Sequence, residues 1–305
     1  MKLGLMTAAF PERSLKEVAE WAIETGFEML ELACWPVGKA TRRYAGVTTL
    51  DVTGFGQKEA DEARQIMLNN NLEISSLGYY PNPLHPDPEH RMVVIDHLKK
   101  VIDAAALVMD EPIVGTFVGR DKDKNVEDNL VLFEQVWPDI VKYAGDKGVK
   151  IAIENCPMIF SYDEWPGGNN LASTPAIWRE MFSIIPDENF GLNLDPSHLV
   201  WLMIDPYQVV REFCDRIFHV HAKDLEIDYE GLYDHGTLSI GMGWQIPRLP
   251  GLGEVNWGGF ISQLYRFGYD YVISIEHEDR KFEGTEELVK RGFLISRDVL
   301  KPYIH

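Results

Sequence analysis

Residues 189–199 read NFGLNLDPSHL: an apolar run, Phe190–Leu194, that stops on Asp195, with His198 three positions further on. A run this short and this continuously apolar suits a strand buried on both faces rather than one with a wet side. Segments of helical period flank it, TPAIWREMFSII (174–185) before and DPYQVVREFCD (205–215) after. The alternation continues in both directions. Strand-like runs occupy Lys2–Met6, Met29–Leu32, Ile74–Leu77, Ile113–Phe117, Ile151–Glu154, Phe190–Leu194, Ile217–His221 and Val272–Glu276. Between them, SLKEVAEWAIETG (14–26) opens on Ser14 as N-cap and stops at Gly26, and further helical patterns fall at 57–71, 89–108, 125–148, 256–268 and 284–300. Eight strand–helix units with right-handed crossovers predict an α/β fold, a closed (β/α)8 barrel, with residues 1–305 as a single domain. An open doubly wound sheet would place a phosphate-binding glycine loop after the first strand, and TAAFPERS (7–14) contains no glycine.

Composition narrows the function. Lys plus Arg number 29 against 48 Asp plus Glu, a net charge of −19. Duplex binding needs a cationic footprint, so nucleic acid is not an expected partner. Cys34, Cys156 and Cys214 are too few and too widely spaced for a disulfide framework or a zinc ribbon. The N-terminus MKLGLMTAAF lacks the features of a signal peptide, and no apolar run approaches the ~20 residues of a membrane span. A soluble, cytoplasmic protein is expected, with no membrane partner.

Two connections are long, about 156–174 and 222–256. Long loops in compact domains are usually functional or disordered. The aromatics Trp165, Tyr229, Tyr233 and Trp244 favour ordered lids.

In a barrel the chemistry sits where strands end. The fifth to eighth strands end in Glu154 (IAIENCP), Asp195 (NLDPSHL), His221 (HVHAKD) and Glu276 (ISIEHED). Each follows an apolar run, and a carboxylate at the edge of a dry barrel needs a partner or a cation. One such acid is as well explained by a helix cap or an ion pair; four at equivalent strand ends are not. Three carboxylates and one imidazole suit a single divalent ion. Mn²⁺ is the first expectation, with Mg²⁺, Co²⁺ or Zn²⁺ as alternatives.

These motifs, with GFEMLEL (26–32) and LPGLGEVNW (249–257), resemble those of the xylose-isomerase-like barrel superfamily over essentially the whole chain. That group includes ketose 3-epimerases and inosose isomerases and dehydratases. The resemblance implies a divalent metal on Glu154, Asp195, His221 and Glu276, and a substrate-binding role for His198. Glu31 matches an acidic position common in the group and is carried as a further substrate-binding candidate. The chain departs from the ketose 3-epimerases in one respect. They carry a substrate-binding arginine shortly after the metal-binding histidine, whereas HAKDLEID has Lys223 and Asp224 there, as in inosose-type members. That argues against a free ketohexose.

The expected reaction is proton abstraction next to a carbonyl through a metal-stabilised enediolate, with Glu154 and Glu276 as catalytic carboxylates on opposite sides. Inversion gives an isomerase or epimerase. Loss of a β-hydroxyl gives a lyase or dehydratase acting on a keto-sugar, inosose or 3-keto-glycoside. Lys223, in phase with His221, and His235 and Arg248 in the long loop are further substrate-binding candidates. His219 reads as a buried, hydrogen-bonded histidine and Cys156 as a wall residue. Phe10, Trp35 and Phe117 fall near strand ends and either stack on a sugar or cap the core, and Trp257 reads as packing. A phosphodiesterase of the same superfamily would need more strand-end histidines than this chain has. A binding barrel without turnover would be expected to break the acid set. A subunit of a hetero-oligomeric lyase would use the long loops as interfaces. The substrate expected is a small sugar or keto-sugar, and the assembly a homo-oligomer, dimer or tetramer.

Overall fold

A computed structural model describes residues 1–38, 46–159 and 168–305. Trp165 and the rest of 160–167, within the 156–174 connection, lie outside them. Eight parallel strands close into a barrel: β1 (Lys2–Met6), β2 (Met29–Ala33), β3 (Glu73–Gly78), β4 (Ile113–Thr116), β5 (Lys150–Glu154), β6 (Phe190–Leu194), β7 (Ile217–Ala222) and β10 (Val272–Ile275). β1 closes the ring, with Gly4 aligned to Met29 of β2 and Lys2 to Val272 of β10. The (β/α)8 barrel expected from the sequence is the fold observed, and each of the eight runs supplies one strand.

Helices follow the strands: α1 (Leu15–Glu24), α2 (Gln57–Asn69), α3 (Pro88–Val108), α4 (Val126–Gly145), α5 (Pro175–Ile184), α6 (Pro196–Trp201), α7 (Pro206–Phe213), α8 (Tyr229–His235), α9 (Trp257–Arg266) and α10 (Glu286–Leu300). Ser14 caps α1 as its sequence indicates. Its side chain accepts from the Glu17 N–H while the Glu17 carboxylate accepts from the Ser14 N–H, and Gly26 ends the segment at φ 85°. The core between strands and helices is aromatic, with Trp137, Trp178, Phe133, Phe190, Phe260 and Phe293 fully buried. No described helix is long and apolar enough to cross a membrane.

The connection after β7 is ordered. β8 (Asp224–Ile227) and β9 (Gln245–Arg248) form an antiparallel hairpin carrying α8 between them. Trp201, Leu225 and Trp244 make a small core of their own beneath it. The Trp201 indole donates to the Ile240 carbonyl at 3.1 Å, and Gly241 (φ 87°) sits where a Cβ would lie 2.1 Å from that indole nitrogen. Asp224 ties the two ends of the excursion together. Its buried carboxylate accepts from the N–H groups of Leu225, Gly251 and Val255 and from the Trp257 indole, all at 2.9–3.0 Å.

Replacing Asp224 by Ala leaves three buried donors and one partly buried donor without this acceptor. It is expected to lower the unfolding free energy by about 3 kcal/mol or more, read as a fall in chemical-denaturation midpoint. Limited proteolysis should then cut within 225–250, where the parent chain resists.

Candidate active site

The four strand-end residues converge. Glu154, Asp195, His221 and Glu276 each offer one ligand atom, and these atoms lie within 4.8 Å of one another. The strand period places them. On β7, His219 and His221 share the inward face, two residues apart. Glu154 ends β5, Glu276 follows β10, and Asp195 sits between β6 and α6.

Asp195 has two tasks. Its Oδ1 caps α6, accepting from the Ser197 N–H at 2.8 Å. Its Oδ2 is buried and makes no hydrogen bond, lying 3.1 Å from the Lys223 ammonium and 3.3 Å from His198 Nε2. A buried carboxylate oxygen without a donor is a vacancy in hydrogen bonding that a cation fills.

His221 presents its two nitrogens to different partners. Nε2 lies 2.7 Å from Glu31 Oε2, and Nδ1 lies 3.1 Å from Glu154 Oε1 and 3.7 Å from Glu276 Oε2. In the neutral tautomer that donates from Nε2 to Glu31, the Nδ1 lone pair faces the three ligand carboxylates, the orientation of a metal-binding imidazole. Burial opposes protonation of this ring, but Glu31, Glu276 and the hydrogen bonds to Glu154 and Glu31 push its pKa well above the usual imidazole value.

The remaining carboxylates feel the same crowding. Burial disfavours ionised Glu31, yet His221, His219 and the Tyr80 hydroxyl hold its pKa at about 2. Burial also works against ionised Glu154, which the neighbouring His198 and His221 imidazoles keep well below the usual carboxylate range. Burial pushes Glu276 up to about 8, against the pull of Lys223 and with the help of Glu154 and Glu278. Glu31, Glu154, Asp195, Glu276 and Glu278 face Lys223 and His221 as the nearby cations. The donor set, the uncapped Asp195 oxygen and this excess of negative charge fit a divalent ion held by Glu154, Asp195, His221 and Glu276.

A network beneath the cluster fixes it. The Tyr80 hydroxyl donates to Glu31 Oε1 at 2.5 Å and accepts from Asn193 Nδ2 at 3.0 Å. Asn193 Oδ1 lies 3.0 Å from His219 Nδ1, and His219 Nε2 lies 3.1 Å from Ser75 Oγ. Burial lowers His219 to about 4, so its ring is neutral and links Asn193 to Ser75. The reading of His219 as a satisfied buried histidine agrees with this. Sequence reasoning missed Tyr80 and Asn193. Asn193 could have been found, because it is the one polar residue inside the apolar run and shares the phase of Asp195.

Above the cluster opens a cavity of about 720 Å³. Glu154, His198, Lys223 and Glu276 form its polar floor, and Trp35 and Phe117 are in its wall together with Cys156. Burial raises the Cys156 thiol well above its ordinary pKa, so it is a wall residue rather than a nucleophile. Glu31 is not at the cavity: it is fully buried behind His221. His235 is exposed at the end of α8, turned to the Gly243 side of the hairpin, and does not reach the cavity. Arg248 is held within the hairpin by Glu226 at 3.2 Å and Asp279 at 3.4 Å, and the guanidinium that lines the cavity is that of Arg280. Phe10 stacks on Phe293 in the core, and Trp257 packs under the hairpin.

Residues 19–299 match the family described as xylose isomerase-like TIM barrel, and the chain belongs to that family. The chain is similar to the uncharacterized protein YfiH of Bacillus subtilis (strain 168), 25% identical with 92% of this chain and 93% of the relative covered. It is 24% identical to the inosose dehydratase of Clostridium tetani (strain Massachusetts / E88), over 52% of this chain and 53% of the relative. The crystal structure of the IolI protein with a bound zinc atom superposes with a TM-score of 0.70 at 18% identity, covering 100% of this chain and 99% of the other.

Removing the Glu31 carboxylate (Glu31→Ala) takes away the carboxylate acceptor 2.7 Å from His221 Nε2 and should weaken divalent-ion binding by about 10–100-fold, measured by calorimetric titration with Mn²⁺. Circular dichroism of the variant should keep the parent's helical signal.

Proposed function

We propose that the chain is a divalent-metal-dependent isomerase or epimerase acting on a keto-sugar. The observation that carries this is the convergence of Glu154, Asp195, His221 and Glu276, of which Glu154 and Glu276 line a cavity of about 720 Å³. Mn²⁺ is the ion we assign first, followed by Mg²⁺, Co²⁺ and Zn²⁺, because oxygen donors dominate the set. When bound, such an ion polarises a carbonyl and raises the acidity of the adjacent C–H.

The chain's own groups do the rest. Glu154 and Glu276 come from strands on different sides of the cluster, so one is placed to take the proton from the carbon next to the carbonyl and the other to return one to the opposite face. His198 Nε2, 3.6 Å from Glu154 and on the cavity floor, is placed to hold a substrate oxygen. Lys223 offers a second donor there. Glu31 acts at one remove, accepting from His221 Nε2 and fixing the ring. The hairpin residues Leu225, Ile246 and Pro247 and the indole of Trp201 wall the cavity and exclude water from the exchanging proton. The volume lies inside the range of about 300–1,000 Å³ typical of small-molecule sites. A second reading, dehydration of the same enolised substrate, is favoured by the similarity to an inosose dehydratase.

We place the protein in the cytoplasm as a homo-oligomer, dimer or tetramer. Its three cysteines are free, as a reducing compartment requires, and Leu68, Met92, Val93 and Val131 are exposed on the successive helices α2, α3 and α4. The charge of −19 leaves nucleic acid out of the partners.

Incubating Mn²⁺-loaded protein in D₂O with ketoses, inososes and 3-keto-glucosides should give deuterium at a carbon beside the carbonyl of at least one substrate, read by NMR. Glu154→Gln should abolish it. An epimerised product identifies the first reading and an unsaturated product the second. Exchange undiminished in Glu154→Gln contradicts both.

A further inference from the structure

Lys223, at the end of β7, is only 4% exposed, and a lysine is rarely so deep without paired charge. Its ammonium lies 2.6 Å from Glu276 Oε2, 3.1 Å from Asp195 Oδ2 and 3.1 Å from Glu278 Oε2. Glu276 and Asp195 belong to the four-residue set whose ligand atoms lie within 4.8 Å of one another. The ammonium therefore sits against two of the carboxylates that would bind a divalent ion. Asp195 Oδ2 has no hydrogen-bond donor of its own, and its charge is met by the Lys223 ammonium. A tethered ammonium and a divalent ion on the same two carboxylates, one buried and one largely so, repel each other strongly, because little water screens them there.

Glu278 is different. It lies outside the four-residue set, its side chain is 30% exposed, and it lines the cavity. A lysine stem is long and flexible enough to exchange partners without moving the strand. We propose that Lys223 is the counter-cation of the metal-free centre: its ammonium holds Asp195 and Glu276 until a divalent ion binds, then gives them up and stays on Glu278 at the cavity wall. The centre is thus charge-compensated in both states. The metal-free chain keeps its carboxylates together without unfolding, and the ammonium becomes available to a substrate oxygen only once the ion is in place. The proposal rests on the metal centre assigned above, and its test separates the two.

The test is calorimetric titration of EDTA-stripped full-length protein with MnCl₂, for the parent, Lys223→Met and Asp195→Ala, with thermal melts of stripped and loaded samples. The parent should take up one Mn²⁺, and Asp195→Ala should lose that uptake. Lys223→Met should bind Mn²⁺ roughly tenfold tighter or more, because the internal competitor is gone. Stripped Lys223→Met should also melt below the stripped parent, while the loaded proteins lie closer together. Binding no tighter in Lys223→Met than in the parent overturns the proposal and leaves the metal centre standing. If Lys223→Met does not fold, ¹⁵N-detected lysine ammonium signals of the parent decide. A slowly exchanging signal should be present in the stripped protein and shift with one equivalent of Zn²⁺, and a loaded spectrum with every lysine signal unmoved overturns the proposal. No Mn²⁺ uptake by the parent, or full uptake by Asp195→Ala, removes the metal centre and this proposal with it.

Discussion

Five carboxylates meet at the mouth of the barrel with too little positive charge to match them. Glu31, Glu154, Asp195, Glu276 and Glu278 come from β2 or the ends of β5, β6 and β10, and the cations among them are Lys223 and His221. Packing forces the encounter, because a closed parallel barrel directs the ends of its strands toward one axis and Glu154, Asp195 and Glu276 each end an apolar run that anchors them. Isolated buried carboxylates would be strongly unfavourable. The surrounding chemistry answers that imbalance. Tyr80 and His221 satisfy Glu31, α6 occupies one oxygen of Asp195, and Lys223 bridges three acids. What is left over is a deficit of positive charge that a divalent ion would meet.

The lid and the centre are built from one piece of chain. α6 starts on Asp195 and ends on Trp201, whose indole holds the Ile240 carbonyl of the hairpin excursion. Lys223 and Asp224 are neighbours with opposite directions: the first reaches into the cluster, and the second collects three donors from the excursion's far end. Ordering the hairpin and positioning the ammonium therefore rest on the same two residues of backbone. That coupling gives the cavity a wall whose register is tied to the centre it covers.

The barrel was legible because buried parallel strands carry their signal locally, as short apolar runs between helical patterns. The four-residue cluster was legible for the same reason: once NLDPSHL, AIENCP, HVHAKD and ISIEHED are read as strands, their last residues share one end of the barrel. The rest depends on contacts distant in sequence. Glu31 stands 190 positions from His221, and the strand period gives its inward direction without its depth, so its place behind the imidazole came only with the structure. His235 and Arg248 lie on an excursion whose path is set by Asp224, Trp201 and the Glu226 and Asp279 carboxylates, and no local pattern shows that path. α6 is too short to show a helical period, yet it decides which oxygen of Asp195 is left for a cation.

The central claim is that Glu154, Asp195, His221 Nδ1 and Glu276 hold one divalent ion. Its most direct test is X-ray diffraction from Mn²⁺-soaked crystals, collected above and below the manganese absorption edge. The account predicts a single anomalous peak bonded to those four side chains, with Glu31 still hydrogen-bonded to His221 Nε2. A map without a peak there, or with the ion on other residues while Lys223 remains between Asp195 and Glu276, would contradict it.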